Sequence, residues 1–292
     1  MVRAITVERA ITAEQWNAAR AALRDSGERF AGLVGSSGPR TMATKDWSIA
    51  DTVAHVTSIA LWDTALAQPE AIPLPYPWDV VEDQIPVTTV DTLNVLNDQV
   101  MKRFTERDPQ VLASQLRTHI DDMLRASAGA DPDQPVPWFG GSRVPLAAIF
   151  AHLTNELQIH GHDIARATGA RWVIPSAYAA QFHDLLVAGL ARYGVGHFLD
   201  NDRPAPRRRI AVRFKSRYMA PLTMVMAPGG AVTLAGPDSP VDVQVRFEPT
   251  AFNLMMFGRI SLLRAVLTGK VSLSGPRPWL LPAFLRIVRF PS

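Results

Sequence analysis

Residues 145–169 form an apolar stretch in which His152, Glu156 and His160 recur at steps of four. On a helix each such step turns about 40° around the axis, so the three side chains share one stripe. The neighbours Ala151, Leu153, Leu157, Ile159 and Ile164 are apolar, which marks an interior helix opened by Pro145 and closed by Gly169. Ionisable groups on an interior helix are costly unless they are paired or bind an ion. Such a helix needs other helices packed around it and a partner for its charges. A metal ion is the first candidate.

The preceding chain supplies those helices. Thr12-Ala-Glu-Gln15 is a capping-box pattern opening a helix over 12–34, with Trp16, Ala19, Leu23 and Phe30 at helical spacing. Ser48-Ile-Ala-Asp51 opens a second helix, running to Ala67 and carrying His55 two turns in. Residues 69–87 hold five prolines and read as an ordered loop or lid. A third helix is expected over 89–107, continuing with a break at Asp108-Pro109 to residue 127. Four main helices in about 170 residues predict a four-helix bundle.

From residue 173 the texture changes. Residues 176–199 look helical, and strand patterns follow at 210–214, 222–226, 231–234, 241–247 and 271–274. Short helices are expected after Pro249, up to Leu267 and at the C-terminus. The fold class is therefore multidomain, α and α+β: a helical bundle over 1–172 and an α+β domain with an antiparallel sheet over 173–292.

Composition excludes several chemistries. The chain has no cysteine, so disulfides, thiolate nucleophiles and Cys-ligated metals are ruled out, and any thiol chemistry must use an external thiol. No apolar run reaches the ~18 residues of a membrane span, and the N-terminus lacks the apolar centre of a secretory signal. A cytoplasmic protein is expected. Seven Arg/Lys between Arg203 and Arg217 make the basicity local. With sparse aromatic interleaving, no nucleic-acid partner is expected. There is no Gly-x-Ser-x-Gly elbow, Walker loop, dinucleotide fingerprint or His-Glu-x-x-His.

A divalent ion held by imidazole and carboxylate fits what remains. Three protein ligands with one open position mark catalytic zinc-type sites. Glu156 and His160 supply two ligands, and His55, mid-helix among Val53, Val56 and Ile59, is the third candidate. The alternative is a buried His–Glu–His network without metal. His152 is expected to support the ligands from one turn away, with a direct ligand or a plain core histidine as alternatives. Asp163 is expected either to orient a ligand imidazole or to form a surface salt bridge. His162 should point away from the metal. Trp47, Trp62, Trp138, Met255 and Met256 read as core. Trp78, on the proline-rich loop, is expected to pack, and is the one of these aromatics whose alternative is contact with a ligand.

Asp46-Trp-Ser-Ile-Ala-Asp-Thr-Val-Ala-His55-Val and Glu156-Leu-Gln-Ile-His160-Gly-His-Asp163-Ile-Ala resemble the two signatures of the mycothiol-dependent maleylpyruvate isomerase family. The resemblance implies a DinB-like metal-binding bundle with His55, Glu156 and His160 as ligands, zinc as the expected ion and mycothiol as thiol cosubstrate. It also implies an arginine from the C-terminal part near the substrate, for which Arg213 and Arg217 are candidates. The stretches Asp242-Val-Gln-Val, 252–257, Gly258-Arg259, Leu267-Thr-Gly-Lys270 and Val271-Ser-Leu-Ser-Gly275 resemble a sterol carrier protein-like domain.

Two functions follow as expectations. One is a metal-dependent enzyme that uses the thiol to isomerise or conjugate a small electrophile. The other is a non-catalytic binder of an apolar small molecule or lipid in the C-terminal domain, which requires a tunnel of several hundred Å³. A water-activating hydrolase at the same metal is a third possibility.

Overall fold

The structure is a computed structural model and describes residues 10–289 except 36, 71 and 205. The first nine residues, on which the reading of the N-terminus partly rests, lie outside it.

Helices α1 (Ala13–Gly35), α2 (Ile49–Leu66), α4 (Pro109–Ala126) and α5 (Leu146–Thr168) pack as a four-helix bundle. Their starts are written locally. Ser48 Oγ accepts from the Asp51 amide while the Ser48 amide donates to Asp51 Oδ2, both at 3.2 Å. Asp108 Oδ1 caps α4 by accepting from the Gln110 amide at 2.8 Å. Gly169 closes α5 at φ +71°, a conformation a side chain would strain. The break at Pro109 is complete: the shorter α3 (Leu93–Arg103) packs outside the bundle on α2, and α4 alone is the bundle member.

The proline-rich stretch becomes 3₁₀ turns over Trp78–Val87. Trp78 pins them down. Its ring stacks on Trp62 at 5.0 Å and its indole Nε1 donates to the Ser58 carbonyl at 2.7 Å. A hairpin of three-residue strands, β1 (Pro135–Pro137) and β2 (Arg143–Pro145), precedes α5.

Helix α6 (Ser176–Gln181) runs through a π-helical segment, Phe182–Val187, into α7 (Ala188–Tyr193). This helix packs on α5 on one side and on α8 and the sheet on the other. The sheet has strands β3 (Ile210–Ser216), β4 (Met219–Met226), β5 (Val232–Ala235), β6 (Val243–Phe247) and β7 (Val271–Ser274), in the order β5-β4-β3-β6-β7. It is mixed rather than wholly antiparallel, because β3 and β6 pair in parallel. Helices α8 (Pro249–Met256), α9 (Leu262–Leu267) and α10 (Leu281–Leu285) complete this half.

The interior between sheet and helices is filled by Phe182, Phe214, Phe247, Phe252 and Phe284. A cavity of about 20 Å³ lined by His183, Val187, Phe214, Leu222, Phe252 and Leu285 has room for one water at most. This cavity falls far short of the several hundred Å³ that an apolar-ligand carrier requires, because aromatic rings occupy the space around it.

Buried amides tie the two halves together. Asn253 Nδ2 donates to Asn155 Oδ1 at 3.0 Å and to the Ala179 carbonyl at 3.1 Å, and Asn253 Oδ1 lies 2.6 Å from His183 Nε2. With both amide protons committed, that oxygen accepts, so His183 carries its proton on Nε2. Burial lowers the His183 pKa from 6.5 to about 4. The folded state therefore resists a proton that the unfolded chain accepts, and stability present above pH 6.5 is lost as pH falls towards 4. About 2 kcal/mol should disappear between pH 7.5 and 5. Urea denaturation of the metal-free protein at both values, beside a His183→Gln variant, checks this; equal slopes in the two proteins would contradict it.

Candidate metal centre

Helix α2 delivers His55 and α5 delivers Glu156 and His160. Their ligand atoms all lie within 4.8 Å of one another. Glu156 Oε2 stands 3.4 Å from His160 Nε2 and 3.7 Å from His55 Nε2. The imidazoles meet edge to face at 5.2 Å. Donors about 2.0–2.2 Å from one tetrahedral ion stand roughly 3.3–3.6 Å apart, so the observed separations suit a shared cation. They are also longer than hydrogen bonds between these groups. The residues present therefore fit a divalent ion of the zinc type.

Protonation favours the same use. Burial holds the His55 pKa below its ordinary value, keeping the ring neutral and ready to donate a lone pair. Burial raises the Glu156 carboxyl, but His160 and His55 outweigh it and hold the group well below the usual carboxylate range.

A supporting layer surrounds these three. His152 Nδ1 lies 3.2 Å from Asp63 Oδ2, and His152 Nε2 lies 3.9 Å from Glu156 Oε1, so His152 stands behind the carboxylate. Burial would lower the His152 pKa, but Asp63 and Glu156 lift it. Asp163 Oδ2 lies 3.5 Å from His160 Nδ1. Arg259 clamps Asp163 through Nε at 3.1 Å and Nη2 at 2.6 Å. The C-terminal half thus reaches the centre through one guanidinium and one carboxylate.

Trp47 closes one side, its ring 4.7 Å from His55 and 6.2 Å from His160. It is half-buried, a wall of the site rather than the core residue expected. Asp63 and Arg259 were not singled out by sequence reasoning. Asp63 is fully buried on α2, two turns after His55, and a carboxylate on that apolar helix was the available signal. Gly258-Arg259 was noticed only as part of a C-terminal resemblance.

Other candidates lie elsewhere. Trp78 is buried in the Trp62 stack, the packing expected of it, and this corrects the alternative of a ligand contact. Arg213, on β3, donates to Thr223 Oγ1 at 3.0 Å and to the Ser239 carbonyl at 2.9 Å. Exposed Arg217 donates to the Tyr218 hydroxyl at 2.6 Å. Neither touches the three ligands, and the arginine that approaches them is Arg259. His162 is half-buried and outside the cluster.

A bundle that gathers two imidazoles and a carboxylate from facing helices, with an α+β half buttressing one imidazole, defines a helical-bundle protein with a candidate metal centre. Residues 16–165, just over half of the 292, match the family described as the mycothiol maleylpyruvate isomerase N-terminal domain, and the chain belongs to that family.

Among solved structures, a histidine-to-alanine mutant of the mycothiol-dependent maleylpyruvate isomerase is similar at 14% identity and TM-score 0.50 over 89% of this chain and 92% of that one, a likeness of fold. The unmutated isomerase gives 15% identity and a TM-score of 0.49 over the same shares. Sterol carrier protein 2 from Yarrowia lipolytica gives 17% identity over 32% of this chain and 87% of that one, and its TM-score of 0.23 is too low to bear on the fold. No protein with a curated description matches the sequence.

Proposed function

We propose that this chain is a metal-dependent enzyme that uses a low-molecular-weight thiol, mycothiol by analogy with its family, to isomerise or conjugate a small electrophilic substrate. The observation that carries this reading is the convergence of His55, Glu156 and His160 from two helices beside a half-exposed wall. When bound, a divalent ion supplies a Lewis acid that lowers the pKa of a thiol into the neutral range. The reaction class is thiol addition to an activated double bond. Rotation and elimination then give an isomer, whereas stopping after addition gives a conjugate.

The protein's own groups have separate tasks. His55, Glu156 and His160 hold the ion, and Asp163 under Arg259 orients the His160 ring. His152 Nε2, steadied by Asp63, is an imidazole beside the centre that is not committed to the ion, and we assign it the thiol proton. Trp47 shields the site from bulk water. The absence of cysteine leaves no protein thiol to compete.

No helix of the described residues is long and apolar enough to cross a membrane. We infer a cytoplasmic setting, where a free thiol cosubstrate stays reduced. Residues 1–172 and 173–292 are our proposed units, a division supported by the irregular stretch at 170–175.

Purified protein analysed for metal, then assayed with maleylpyruvate with and without mycothiol, tests the reading. About one ion per chain and turnover only with thiol are expected. A metal-free protein that turns over, or turnover indifferent to thiol, would overturn it; the second result would favour hydrolysis.

A further inference from the structure

The outer edge of the sheet carries a surface that the centre does not use. Helix α9 presents Leu262, Leu263, Val266 and Leu267 to solvent, with Leu263 68% and Leu267 76% exposed. At about 100° per residue these four cover an arc of roughly 140°. Ala265, off that arc, is buried and anchors the helix. The chain then enters β7, the edge strand, where Leu273 is exposed, and beyond it Trp279 is 69% exposed. Large apolar side chains gathered along one edge of a folded protein mark a surface that something covers.

Charge selects the occupant. From Pro249 to Ser292 the sequence has six Arg/Lys and no Asp or Glu. Arg264 and Lys270 flank the apolar arc and are exposed. A second copy would bring Arg264 and Lys270 against their own kind with no acid on this segment to meet them. A nucleic acid would satisfy the cations and leave the leucines and Trp279 uncovered. An anionic bilayer meets both demands: leucine and tryptophan enter the headgroup boundary while the cations face acidic lipid. We propose that the edge formed by α9, β7 and Trp279 docks the protein on an anionic phospholipid surface.

Flotation of the full chain with vesicles of phosphatidylcholine, alone or containing phosphatidylglycerol, at low and high salt, tests this. Partitioning at least about tenfold stronger onto the anionic vesicles, weakened by salt, is expected. A Leu263→Ser/Leu267→Ser double variant should lose about tenfold of it with unchanged circular dichroism and turnover, since these side chains lie at the surface. Failure to bind anionic vesicles would overturn the proposal, as would equal binding by wild type and variant. A dimer that the double variant disperses would assign the face to a second copy. Duplex DNA binding lost in Arg264→Ala/Lys270→Ala, without vesicle binding by the wild type, would assign it to nucleic acid.

Discussion

Glu156→Gln should leave the purified protein with little or no divalent metal after dialysis and lower thiol-dependent turnover by ~10³ or more, equivalent to about 4 kcal/mol of lost transition-state stabilisation. The amide keeps the volume of the acid and removes the one negative charge that stands between two imidazoles, 3.4 and 3.7 Å from their Nε2 atoms. Elemental analysis beside steady-state kinetics checks both halves of the expectation. Full metal occupancy in this variant would mean that the carboxylate is not a ligand. In the parent protein metal uptake should weaken as pH falls. Burial lowers the His160 pKa, but Asp163 and Glu156 outweigh it and raise the group, so protons compete at His160 before they reach His55.

The second large effect is on stability. Trp78→Ala is expected to cost about 3–5 kcal/mol, the range for deleting a buried aromatic. The change removes a ring stacked on Trp62 and the indole hydrogen bond to the Ser58 carbonyl. The loop over 69–87 loses its anchor at the same time. Denaturant unfolding reads the loss, and KM for thiol and electrophile should stay within about twofold at a temperature where the variant is folded. A stable variant with a raised KM would restore Trp78 to the role of a ligand contact.

These two residues show what was readable before any coordinates. Glu156 and His160 share a helical stripe, and helix periodicity is a local property, so spacing alone placed them together. The Ser48 and Asp108 caps were readable for the same reason. Bringing in His55 needed a second helix, and its apolar neighbours identified it. For Trp78 packing was the plainer reading and ligand contact the alternative, and proline content could not choose between them, because it describes the backbone of a loop and says nothing about where one ring is buried. Arg259 and Asp163 are separated by 96 residues and Asp63 and His152 by 89, so neither contact leaves a local pattern. The parallel pairing of β3 with β6 is equally remote: each strand shows its own alternation but not its neighbour.

Asn155 and Asp163 flank the ligand-bearing turns of α5, and both look across to the other half of the molecule, to Asn253 and Arg259. A chimera that grafted this bundle onto a foreign C-terminal half would strand a buried amide and a buried anion on the helix that carries Glu156 and His160, two of the three candidate ligands. Recombination at this joint is therefore constrained by chemistry at the centre as well as by fit of shape.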